Sequence, residues 1–125
     1  MGTRQRPADL LPLPTHVLQI LLSLLERPQH GYAILKEIEA RTGGEMRLGT
    51  STLYAALRRL SALGLIVETD APPETESDDA RRRYYGATRF GREVVAAEAR
   101  RVRRLSEMLD RIPALSSAAG RGGGS

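Results

Sequence analysis

A chain of 125 residues with 41% hydrophobic content is long enough for one compact domain with an appended element, and too short for a multi-domain enzyme. One Phe, four Tyr and no Trp leave the core to aliphatic side chains, and the lack of Cys excludes disulfides, thiolate nucleophiles and Cys-based zinc or iron–sulfur sites. Nineteen basic against fifteen acidic residues give a net charge of +4, which suits a polyanionic partner such as nucleic acid without proving one.

Eighteen of the bases are Arg and only Lys36 is Lys, a bias that a GC-rich genome produces unaided, so charge placement matters more than charge total. No apolar stretch approaches the roughly 20 residues that span a bilayer. The first residues lack a signal-like apolar region, so a cytoplasmic location without a membrane partner is expected.

Residues 1–14 contain Pro7, Pro12 and Pro14 and predict a flexible, extended arm. Thr15 is placed to cap a helix over residues 16–26. Its apolar side chains cover more than one stripe, so burial on two sides is expected before Pro28 ends it. Ile34, Leu35 and Ile38 set a second helix over residues 31–42, stopped by Gly43 and Gly44. Thr50 or Ser51 can cap a third, in which Leu53, Leu57 and Leu60 point inward and Thr52, Arg58 and Arg59 outward.

Gly64 closes that helix, and residues 65–69 alternate as a half-buried strand does. The return strand of a two-stranded hairpin is expected over residues 82–87. The connection 70–80, with two prolines and no large apolar residue, reads as a mobile loop. Residues 68–79 hold six acids and no base, so Glu74, Glu76, Asp78 and Asp79 can fold back on Arg81, Arg82 and Arg83; a tip so charged is expected to point away from DNA. Thr88 caps a long last helix, residues 89–112, with a heptad-like seam of Val95, Val102, Leu105, Leu109 and Ile112 that Glu98 breaks once. Within so short a chain that seam has no partner, and it most simply buries against a second copy.

The implied fold class is mainly α (α+β): a winged helix-turn-helix with a two-stranded wing and a long C-terminal dimerisation helix. Its parts are an arm (1–14), a DNA-binding domain (15–88), the dimerisation helix (89–113) and a flexible Gly- and Ser-rich tail (114–125). A third helix polar on its outer face can enter a major groove about 12 Å wide while the hairpin reaches the adjacent backbone.

Four segments carry a family resemblance: residues 30–34 (HGYAI), 52–60 (TLYAALRRL), 63–66 (LGLI), and 83–88 (RYYGAT) with Gly91. Together, over about residues 15–112, they resemble PadR-like transcriptional regulators. The resemblance implies a dimeric repressor on a double-stranded, pseudo-palindromic operator, with DNA released by a small-molecule effector. It also implies that the last helix, packed with the first, forms the homodimer interface, giving Val17, Leu21, Val95, Val102, Leu105, Leu109 and Ile112 as interface residues. Thr52, Tyr54 and Arg58 match positions that face DNA, and Tyr32 matches a tyrosine that can hold a phosphate with helix N-terminal amides. With Lys36, Ser51, Arg59, Arg82 and Arg83 they make the expected DNA-contacting set.

Other readings of these residues stand beside this one. Tyr54 can be a partly buried ring holding the third helix to the first two, and Arg58 and Arg59 a solvated helix face. His30 and His16 read as turn or capping residues, since lone imidazoles without clustered carboxylates make poor metal sites, and neither metal nor cofactor is expected. Arg92, Arg100, Arg101, Arg103 and Arg104 read as a solubilising surface. The sequence has no Walker loop, no HExxH and no Ser-His-Asp set in a motif context, so an enzyme is not expected. The rival is a winged-helix protein-interaction module without DNA binding.

Overall fold

The computed structural model describes residues 5–115, so residues 1–4 of the expected arm and the tail residues 116–125 lie outside the description. The chain runs from a 3-10 turn, Pro7–Leu10, through α1 (Thr15–Ser23), β1 (Gln29–His30), α2 (Gly31–Arg41), α3 (Thr50–Ala62) and β2 (Ile66–Thr69) to α4 (Ser77–Ala80), β3 (Tyr84–Ala87) and α5 (Arg89–Asp110).

Helices α1 to α3 close on an aliphatic core in which Ile20, Leu21, Leu24, Ile34, Ile38 and Leu53 are fully buried. The 3.6-residue spacing of these side chains selects the inward face of each helix. The predicted caps hold in two places. His30 Nδ1 accepts from Ala33 N at 3.1 Å to start α2, and Thr88 Oγ1 accepts from Gly91 N at 3.0 Å to start α5. They fail in two others, because Thr15 and Thr50 are the first helical residues, preceded by Pro14 and Gly49 at the cap positions.

The expected two-stranded wing is the antiparallel hairpin of β2 and β3, and β1 adds a third strand on its other edge, giving the order β1-β3-β2, antiparallel throughout. Gln29 pairs with Tyr85 and His30 with Tyr84, so two residues after Pro28 satisfy the edge of β3 that β2 leaves open. Pairing begins at Tyr84, which leaves Arg82 and Arg83 outside the return strand. The connection 70–80, expected as a mobile loop, contains α4, with Asp78 and Asp79 in its first turn, where carboxylates suit the helix dipole.

Residues 5–14, before α1, are not the free arm predicted. Arg6 N donates to Asp9 Oδ2 at 2.9 Å, and Leu13 N donates to Glu98 Oε2 at 2.9 Å across 85 positions of sequence, while Leu10, Leu11 and Leu13 pack on the core. Burial of three leucines, with a carboxylate on α5 that needs donors, holds the segment down. Glu98 interrupts the apolar seam because it is 1% exposed and also accepts from Arg101. The start of α5 is fixed as closely: a Cβ on Gly91 would stand 2.1 Å from the carbonyl oxygen of Leu65, so only glycine lets this helix touch that backbone.

Candidate nucleic-acid interface

Helix α3 turns Leu53, Ala56, Leu57 and Leu60 into the core and leaves Ser51, Thr52, Tyr54, Ala55, Arg58 and Arg59 exposed. At about 100° per residue, Ser51, Ala55 and Arg58 fall at the centre of the outward face. Tyr54 lies on the flank towards α2, and Thr52 and Arg59 on the opposite flank, beside residues of the N-terminal segment. The two flanks differ chemically: Tyr54 puts a phenol on one, while the other, like the centre, carries hydroxyl and guanidinium groups.

Tyr54 is 38% exposed, and its hydroxyl rests against Gly31, where an added Cβ would come within 2.6 Å of it. The ring packs between α3 and the first residue of α2, as the packing reading expects, while its edge stays at the surface.

The second cluster lies where α2 meets the wing root. Tyr32 is half exposed, with Lys36 Nζ 5.5 Å and Arg82 Cζ 5.6 Å from its ring centroid, distances at which an aromatic face attracts a cation. The His30 ring stacks towards Tyr32 at 6.5 Å and meets Tyr84 edge-on at 5.4 Å. Tyr32 and Lys36, one turn apart on α2, and Arg82, 46 positions further on, are thus one surface. Among the described residues Lys36, Arg58 and Arg59 have no carboxylate within 4.0 Å.

Arg82 and Arg83 are held differently. Arg82 Nε lies 3.0 Å from Asp79 Oδ1, and Arg83 Nε 3.9 Å from Glu68 Oε1, so acids of the wing fold back on its arginines. Asp79 Oδ2 also stands 3.9 Å from His30 Nε2. Burial, with the Arg82 guanidinium adding to it and Asp79 opposing, holds the His30 imidazole below its ordinary pKa, so the ring is neutral at pH 7 and Nδ1 is free to cap α2. Asp79 was legible as one acid among several. That it reaches both Arg82 and His30 depends on α4, which no local pattern announced.

The expected dimer residues divide into two sets. Val102, Leu105, Leu109 and Ile112 are 43–46% exposed, and Met108 and Leu115 extend the same apolar surface. Leu21 and Val95 were misplaced: at 0% and 8% exposed they belong to the chain's own core, because periodicity marks an apolar face without saying which neighbour covers it. Val17 is half-buried at the edge of that core.

A helical pair whose second member shows a polar and cationic face, flanked by a small antiparallel wing and followed by a long helix, is the winged helix-turn-helix of transcription regulators. The family model for PadR-like transcriptional regulators matches residues 20–97, and the chain belongs to that family. Protein X of Lysinibacillus sphaericus is 31% identical over 91 residues, 73% of this chain and 81% of that one. The structure of a transcriptional regulator from Clostridium thermocellum is 27% identical with a TM-score of 0.63, covering 79% of this chain and 91% of that chain. Bacillus subtilis PadR, solved in complex with operator DNA, is 21% identical with a TM-score of 0.56 over 69% of this chain and 47% of that chain, a likeness of fold.

Proposed function

We propose that this DNA-binding transcriptional regulator acts in the cytoplasm as a homodimeric repressor, by binding rather than catalysis, on a pseudo-palindromic operator. The observation that carries the reading is the outward face of α3: every large aliphatic side chain of the helix is buried, while Ser51, Thr52, Arg58 and Arg59 are exposed. Such a face can place hydroxyls and guanidinium groups against base edges and phosphates. The Tyr32, Lys36 and Arg82 surface then meets the backbone beside it, where phosphates supply much of the affinity.

The exposed apolar surface of Val102, Leu105, Met108, Leu109 and Ile112 supports pairing of two copies through α5, since a contiguous stripe of this kind is costly to leave in water. No helix of the described residues is long and apolar enough to cross a membrane. Two α3 helices related by a two-fold axis would address half-sites whose centres lie about 34–36 Å apart. Selection of bound fragments from a random duplex pool tests the reading. An inverted repeat with that spacing is expected, whereas recovered fragments sharing no sequence would contradict it.

A further inference from the structure

The two cations over the Tyr32 ring are not equally free. Lys36 Nζ and Arg82 Cζ stand at nearly the same distance from its centroid, 5.5 and 5.6 Å. Among the described residues Lys36 has no carboxylate within 4.0 Å, whereas Arg82 Nε donates to Asp79 Oδ1 at 3.0 Å. The other oxygen, Asp79 Oδ2, faces His30 Nε2 at 3.9 Å. Because Nδ1 of that ring accepts from Ala33 N, the proton of the neutral imidazole sits on Nε2 and is presented to the carboxylate. Asp79 thus has one oxygen on a guanidinium and the other towards an imidazole N–H, as two oxygens of a bound phosphate would.

Of the acids in the connection 70–80, Asp70, Glu74, Glu76 and Asp78 have no cation within 4.0 Å among the described residues, so the contact is particular to Asp79. Helix α4 creates it. Ala80 N donates to Glu76 O at 2.8 Å and Arg82 N to Asp79 O at 3.1 Å, a turn that brings the Asp79 and Arg82 side chains together. The two side chains are 48% and 47% exposed, and an ion pair so wet is weak enough to exchange for another anion.

We propose that Asp79 is a built-in competitor for the phosphate that Arg82 would take: its carboxylate occupies the guanidinium in the free chain, and a DNA strand reaching the wing root must displace it. The inference rests on the DNA-binding reading and adds to it a residue that sets affinity without touching a base. Arg82 exchanges one anion for another, so it contributes little net affinity and little counterion release, while Lys36 beside it contributes in full. Asp79 therefore weakens the hold on any duplex and leaves the sequence read by the α3 face unchanged.

The test measures the affinity of the full-length chain and its variants for a random-sequence duplex and for the selected operator, by fluorescence anisotropy over a salt series. Asp79→Asn should bind both duplexes about fivefold more tightly at low salt, with a slope of log K against log salt steeper by about one. Asp78→Asn removes the same charge from the neighbouring residue and should gain less than about twofold. In an Arg82→Gln background the gain from Asp79→Asn should fall to that of Asp78→Asn, because the two residues act as a pair. Both asparagine variants should unfold close to the parent's midpoint, since the pair is half exposed. Weaker binding by Asp79→Asn would mean that the carboxylate positions Arg82 for DNA, and equal gains from Asp78→Asn and Asp79→Asn would reduce the effect to net charge; either result overturns the proposal while leaving DNA binding in place. Failure of the parent and of every variant to bind any duplex at low salt would instead sink the DNA reading itself.

Discussion

The Tyr54 hydroxyl lies against Gly31 so closely that a Cβ there would stand 2.6 Å from it, and Leu53 Cδ2 would be 3.2 Å away. Helices α2 and α3 are therefore set at a distance that only glycine permits at the head of α2. Gly31→Ala should push the ring outward and tilt the α3 face, lowering operator affinity by about fivefold. Its stability cost should stay near 1 kcal/mol, because Ala recovers helix propensity. Parallel operator titration and thermal unfolding separate the two effects.

His30 gives the fold a pH dependence of definite sign. Its folded-state pKa lies below the unfolded value, so the neutral form contributes stability that is fully present above about pH 6.5. That contribution is lost as pH falls below this value, until the folded-state pKa is passed. Protonation removes the Nδ1 acceptor from Ala33 N. Denaturant unfolding between pH 7.5 and about 5 should show this loss, and His30→Asn, which keeps a capping acceptor, should flatten it.

Glu98 joins the N-terminal segment to α5. Removing its carboxylate in Glu98→Ala leaves the Leu13 N–H without its acceptor and Arg101 without its partner, at a cost of about 3 kcal/mol. Limited proteolysis should then cut within residues 5–14 before the rest of the domain. A variant as stable and as resistant as the parent would show that the segment is held by its leucines alone. The carboxylate is held below its ordinary pKa, chiefly by the hydrogen bond from Arg101, so this contribution should also fade as pH drops through the acid range below about 4.5.

Leu105 is 46% exposed in the single chain, and Leu105→Asp should leave its helix content and folding intact. In a dimer joined through α5 the change buries two carboxylates, weakening association by roughly 100-fold or more. Light scattering over a concentration series reads the outcome directly. An unaltered dimer would place the interface on another surface.

How much of this was readable beforehand follows from where each stabilising interaction lies. The His30 and Thr88 caps and the turn at Gly64, with φ of 78°, depend on neighbours a few residues away, and the sequence pattern found them. The N-terminal segment was misjudged because its anchor is Glu98, 85 positions distant, and the prolines spoke only for the local backbone. Strand β1 is two residues long, too short for any alternation to show. The α3 face was legible because its buried residues repeat at helical spacing. The apolar groove between residues 10–17 and that helix was not, since it forms only when the N-terminal segment packs against a helix that begins at Thr50.

The central claim is that paired α3 helices meet polyphosphate at a defined sequence. Operator affinity measured across a salt series, for the parent chain and for Arg58→Ala, tests it most directly. A linear fall of log K with log salt is expected, with Arg58→Ala weaker by about tenfold and, if its contact is to phosphate, with a slope shallower by about one. Absence of binding at low salt, or an Arg58→Ala variant indistinguishable from the parent at every salt concentration, would contradict the account.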